Sequence, residues 1–173
     1  DLKLHDIPHT VSGAAKAVAH LAPKFLTVHC SGGTAMVKAA VDALPNTQVT
    51  GVTILTSLSE ADVTEIGFKS AALDSAVALS RIAVNAGAGA IVCSPLEISA
   101  VRREVGASPI IITPGVRPLD MVGTDDQQRT MTPEDAIAAG ANLVVIGRPI
   151  TQSWAQGAQA MKERAQEIGA DLI

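Results

Sequence analysis

Apolar residues fall along this chain in two alternating patterns. Short continuous runs occupy Phe25 to Cys30, Gln48 to Leu55, Ala90 to Cys93, Pro109 to Thr113 and Leu143 to Ile146. Runs of this length predict strands buried on both faces. Between them the apolar positions recur at helical spacing. Val11, Ala14, Ala15, Val18 and Leu21 form one stripe, in a helix that follows Pro8 with Thr10 or Ser12 as its cap. Met36, Val37, Ala40 and Val41 form the next, within a helix from about Thr34 to Leu44. Ser59 with Asp62 marks a further helix start, and a longer helix from about Ala72 to Ala86 stops at Gly87. Ser94-Pro95-Leu96-Glu97 reads as a capping box with Pro at the first helical position, opening a helix that ends near Gly106. Thr132-Pro133-Glu134-Asp135 opens another, closed by Gly140, and a last helix covers about Ser153 to Ile168.

Strict strand–helix alternation with uniformly apolar strands predicts a parallel sheet covered by helices. The chain has no G-x-G-x-x-G and no clear topological break, which favours a barrel over an open sheet. The first residues add one more strand end. Asp1 and Lys3 alternate with Leu2 and Leu4, so the charges share one face and the leucines the other. Ile7-Pro8 stops that strand and turns the chain outward. Six strands are thus visible, about six of the eight units of a (β/α)8 TIM barrel, in a single domain over residues 1–173 without linker or low-complexity tract. The chain opens without Met in the middle of a strand, so the first two β/α units are expected to be missing.

Composition narrows the functional classes. With two Phe, one Trp and no Tyr, the chain lacks the stacking platforms of single-stranded nucleic-acid binders. Its formal charge of −4 opposes binding to nucleic acid or anionic membranes. No run reaches the length of a membrane span and no signal peptide is recognisable. Cys30 and Cys93 lie singly in apolar strands, as reduced core residues of a cytoplasmic protein do.

Polar residues cluster where strands end, which is where barrels build their sites. Asp1, Lys3 and Asp6 form a D-x-K-x-x-D group, either two carboxylates flanking a catalytic ammonium or a solvated charge cluster in a loop. Gly147-Arg148 follows the last strand, where an exposed backbone N–H and a forked guanidinium suit a phosphate; a surface Arg after a turn Gly is the plainer reading. Thr56 and Ser57 end another strand as substrate contacts or simple caps. The polar loop over residues 114–131 is long enough to imply function. His5, His9 and His29 show no metal-ligand spacing, so no metal is required.

The string Asp1-Leu-Lys-Leu-His-Asp-Ile-Pro-His-Thr10 resembles the signature of the orotidine 5′-phosphate decarboxylases. The resemblance continues, in order, through Val28-His29-Cys30-Ser31-Gly32-Gly33, Val52 to Ser57, Thr113-Pro114-Gly115-Val116-Arg117-Pro118, Asp126-Gln127 and Ile146-Gly147-Arg148-Pro149, in the manner of the family's bacterial branch. It implies cofactor-free loss of CO2 from C6 of orotidine 5′-phosphate, giving UMP in pyrimidine biosynthesis. By the same resemblance, Lys3 is expected to stabilise and protonate the C6 carbanion with Asp1 beside it, and Asp6, Ile7 and Thr10 to reach the site of a second subunit in a homodimer. The resemblance likewise implies that Thr56 and Ser57 lie near the pyrimidine and that Arg117, Gln127, Gly147 and Arg148 hold the phosphate end. The family's network also uses a Lys and a ribose-binding Asp on the first two strands, neither present in these residues, so the chain alone is expected to be inactive. Two rivals remain. One is a Mg2+-dependent keto-hexulose-phosphate decarboxylase or aldolase of the same superfamily, against which the Ile7-Pro8-His9-Thr10 continuation counts. The other is a non-catalytic phosphate-binding barrel, for which the paired Asp1 and Lys3 have no use.

Overall fold

The computed structural model describes residues 1–118, 130–170 and 172. Among these, five parallel strands form one sheet in chain order: β1 (Phe25–His29), β2 (Gln48–Val52), β3 (Ala90–Val92), β4 (Ile110–Thr113) and β5 (Leu143–Val144). Leu4 makes a parallel bridge to Val28 beside β1, with Leu4 N–H donating to the Thr27 carbonyl and His29 N–H to the Leu4 carbonyl. The predicted sixth strand is therefore a single bridge. Lys3, at φ +50°, leaves the extended region just before it. The expected alternation fails with it: Leu4 packs on the core, whereas Leu2 is exposed.

The helices are α1 (Pro8–Ala17), α2 (Gly33–Ala43), α3 (Glu60–Glu65), α4 (Ala72–Asn85), α5 (Ile98–Val105), α6 (Pro133–Ala138), α7 (Arg148–Thr151) and α8 (Ala158–Ala170). Strand–helix units wound in this order, each strand parallel to its predecessor, form the wall of a (β/α)8 barrel. The register fixes two faces. Val28, Gly51, Ile91 and Ile111 align on the helix side; His29, Val52, Val92, Ile112 and Leu143 align on the inner side. The main core lies on the helix side, where Val28, Val49, Ile91 and Ile111 meet Met36, Val37, Ala40, Leu79, Ala83, Ile98 and Val101. Gly51 permits this closeness: a Cβ there would lie 2.7 Å from both Ala83 Cβ and Cys30 Sγ.

Several helix starts follow the expected chemistry. Ser59 with Asp62 and Ser94 with Glu97 are capping boxes, and Thr132 Oγ1 accepts from Asp135 N–H. Three details differ. Pro8 itself is the first residue of α1, so Ile7 stands at the N-cap position with no side-chain cap, and neither Thr10 nor Ser12 caps the helix. The Ser94–Glu97 box opens a short 3-10 turn before α5 begins. The last helix starts later, because a 3-10 turn over Gln152–Gln156 ends at Gly157, whose φ of +105° only glycine adopts readily.

Candidate active site

The site is built around Lys3. Its ammonium pairs with Asp1 Oδ2, while its backbone N–H donates to Thr27 Oγ1 at 2.9 Å. Thr27 in turn donates its hydroxyl to Asp1 Oδ1 at 2.5 Å. Both carboxylate oxygens of Asp1 are thereby engaged, one by Lys3 and one by the inner face of β1. A Lys backbone at positive φ is strained by about 1–2 kcal/mol, and such strain persists where neighbouring contacts impose it.

Asp1, Lys3 and Thr27 line one side of a trough of about 740 Å3 over the inner face of the sheet. Val52, Val92, Ile112, Leu143 and Val145 supply its apolar floor. The pair is exposed, 41% for the Lys3 side chain and 57% for that of Asp1, so water still screens its field.

Next to this group, His5 and His29 lie with ring centroids 5.4 Å apart, and Ser31 Oγ is 3.4 Å from His5 Nε2. Burial, then the nearby His5 and Lys3 charges, hold His29 below the usual imidazole range. Cys30, one residue on, faces the helix side; burial pushes its thiol up to about 12, where thiolate chemistry is suppressed. Among the described residues no group of three or more His, Cys, Asp or Glu could hold a metal ion.

The other predicted site residues that the structure describes occupy the same rim or its approaches. Asp6 does not join the Asp1–Lys3 pair in these contacts; its Oδ1 accepts from Ile7 N–H at 2.6 Å. Asp6, Ile7 and Thr10 are all exposed at the start of α1. Thr56 is buried and Ser57 exposed in the turn after β2. Arg117 is buried after β4, with Nη1 donating to the Val116 carbonyl, and its own N–H donates to the Met131 carbonyl. That bond pins together the two ends of the polar loop. Gln127 lies outside the described residues. Gly147 and Arg148 are exposed beyond β5, and a Cβ on Gly147 would meet nothing within 4 Å. Thr27 is the functional-site residue that the sequence pattern did not single out. Its one signal is a hydroxyl at an inward position, two residues before the polar strand end at His29.

A family model described as "Orotidine 5'-phosphate decarboxylase / HUMPS family" matches residues 1–163. The chain belongs to this family. Among curated proteins it is similar to the orotidine 5′-phosphate decarboxylase of Thermobifida fusca (strain YX), 54% identical over 98% of this chain and 73% of that protein. The enzyme of the same name from Paramagnetospirillum magneticum (strain ATCC 700264 / AMB-1) is 44% identical over 98% and 75%. That of Frankia casuarinae (strain DSM 45818 / CECT 9043 / HFP020203 / CcI3) is 50% identical over 87%, and the match there spans only 55% of the relative. Among solved structures, the orotidine 5′-phosphate decarboxylase from Lactobacillus acidophilus superposes with a TM-score of 0.81 at 33% identity, covering 98% of this chain and 72% of that one. The family description pairs the decarboxylase with a second group, and the named relatives fall on the decarboxylase side. Membership thus carries a carboxy-lyase function on a small-molecule substrate, and the barrel fold with it.

Proposed function

We propose that the protein decarboxylates orotidine 5′-phosphate with Lys3 as its central catalytic residue. The observation that carries this reading is the Asp1–Lys3 ion pair, held by Thr27 over the inner face of the sheet. In the reaction the C6–carboxylate bond breaks and its electron pair stays on C6 as CO2 leaves. The Lys3 ammonium faces that developing charge and then transfers a proton from Nζ to C6, giving UMP; solvent reprotonates the amine. Asp1 directs the Lys3 ammonium, and its own charge disfavours a substrate carboxylate placed beside it. This scheme needs no cofactor.

The phosphate end belongs to Gly147 and Arg148 with Arg117 and Gln127, and the pyrimidine lies near Thr56 and Ser57. Holding a remote phosphate orients the ring and lowers the barrier without any contact to the reacting carbon. Asp6, Ile7 and Thr10 serve the site of a second subunit: all three are exposed, and Pro8 starts a helix that leads them off the strand end. The functional unit is then a homodimer with shared sites, acting in the cytoplasm in pyrimidine nucleotide synthesis. Among the described residues no helix is long and apolar enough to cross a membrane.

The test is Lys3→Ala in the complete protein, followed by the ultraviolet absorbance of orotidine 5′-phosphate. Turnover should fall by several orders of magnitude, since a group acting on the transition state supplies many kcal/mol. Turnover within tenfold of wild type would sink the assignment. Activity that vanishes on strong chelation would instead favour the Mg2+-dependent sugar-phosphate chemistry.

A further inference from the structure

We infer that Thr27 is a positioning residue for the Asp1–Lys3 pair, acting through a single hydroxyl that orders both partners at once. The inference rests on the reading of Lys3 as the catalytic ammonium. Thr27 lies on the inner face of β1, in register with Thr50 on β2. Thr50 Oγ1 donates back to the Gln48 carbonyl of its own strand, at 2.9 Å. Thr53 and Thr113 likewise donate to carbonyls of the neighbouring strand, Val92 and Cys93. These three hydroxyls satisfy backbone. Thr27 instead donates to a carboxylate and accepts the amide of the residue that carries the ammonium.

The direction of these bonds matters. A hydroxyl has one proton and two lone pairs. The Lys3 amide can only donate, so it occupies a lone pair and leaves the Thr27 proton for Asp1 Oδ1. With Oδ1 taken, Asp1 presents Oδ2 to Lys3 Nζ. The same amide bond fastens Lys3 in its left-handed backbone, a conformation that a β-branched or long side chain does not hold unaided. One hydroxyl thus sets where the ammonium starts and which carboxylate oxygen it meets. Phe25 and His29, the inward neighbours of Thr27 on β1, have no part in these bonds.

The test compares Thr27→Val, Thr27→Ala and Thr27→Ser in the complete protein, with Lys3→Ala alongside. Affinity for UMP, read by titration, reports a folded protein with an intact phosphate end. The two hydroxyl-free variants should bind UMP within about threefold of wild type and keep KM within the same range. Their kcat should fall roughly ten- to a hundredfold, since only interactions that differ in the transition state change kcat. Thr27→Ser, which restores the hydroxyl, should return to within about threefold of wild type. A hydroxyl-free variant that binds UMP normally and retains wild-type kcat overturns the proposal. So does a serine variant as impaired as the valine one, because volume would then be the cause. If neither hydroxyl-free variant binds UMP, the serine variant decides alone: it must restore both binding and kcat, and failure in either overturns the proposal. Lys3→Ala separates the two layers. Retained turnover there defeats the reading of Lys3, whereas an inactive Lys3→Ala beside an unaffected Thr27→Val defeats the role of Thr27 only.

Discussion

Single residues carry most of the chemistry, and they were unequally legible. Asp1 and Lys3 stand out because a carboxylate and an ammonium two residues apart, ahead of a Pro turn, have little reason to meet at a strand end unless they act together. The partner that orders them, Thr27, is a common strand residue 24 positions beyond Lys3, and nothing in residue type or spacing marks it. Lys3's left-handed backbone was equally hidden, because strand periodicity assumes an extended chain. Two predictions belong at this scale. Arg148→Ala should weaken binding of phosphorylated ligand by about 2 kcal/mol or more, roughly thirtyfold, as expected for a charge-assisted contact. Affinity for UMP measured against uridine checks it, and an unchanged preference would place the phosphate elsewhere. His29 should add an acid-side instability. Its imidazole titrates below the ordinary value of 6.5 in the folded state, so below that value the unfolded chain binds more protons. Folding therefore loses stability as pH falls through about 6.5 toward the lower folded value, and the contribution is absent above it. Urea midpoints at pH 7.5 and 5.5 should differ more for wild type than for His29→Gln; equal differences would remove His29 from the account.

Elements were more readable than contacts. Capping boxes at Ser59–Asp62 and Ser94–Glu97 are local chemistry, settled within four residues, and both formed as the pattern requires. The break in the last helix was not foreseen, because Gly157 inside a helical pattern also reads as a tolerated glycine. Nor did the pattern show what fastens the α5, β4 and β5 units to one another. Arg102, on α5, donates to the carbonyls of Gly106, Pro109 and Gly140 and to Asn142 Oδ1. Asn142 Oδ1 also accepts from Ile111 N–H on β4. A surface arginine on a helix has no sequence mark that tells a staple from a solubilising charge. Arg102→Met keeps most of the stem and should cost about 2 kcal/mol by leaving part-buried carbonyls unpaired. Denaturant unfolding of the variant checks this, and a loss within 0.5 kcal/mol, roughly the scatter of neutral surface changes, would refute the staple.

At the scale of the whole molecule, the parallel sheet followed from alternation and the barrel from the lack of a G-x-G-x-x-G or topological break, whereas the proposed subunit sharing comes from the family resemblance. If Asp6 and Thr10 serve the opposite site, Asp6→Asn and Arg148→Ala damage different halves of it. Mixed dimers then carry one site with both lesions and one with neither. Blending the two impaired proteins, assayed at low substrate, should raise activity to about one quarter of wild type under random exchange, from half the dimers being mixed with one intact site each. Proven exchange without recovery would return Asp6 to its own barrel. The sheet order has a consequence of a different kind. Because β1 to β5 pair strictly with their neighbours in the chain, each strand finds its partner in the segment translated just before it. Among the described strands every pairing joins chain neighbours, so loop-closure entropy stays small at each step until the barrel itself closes. The barrel wall can therefore lengthen one unit at a time as the polypeptide leaves the ribosome, with each new helix covering the apolar strand that emerged immediately ahead of it.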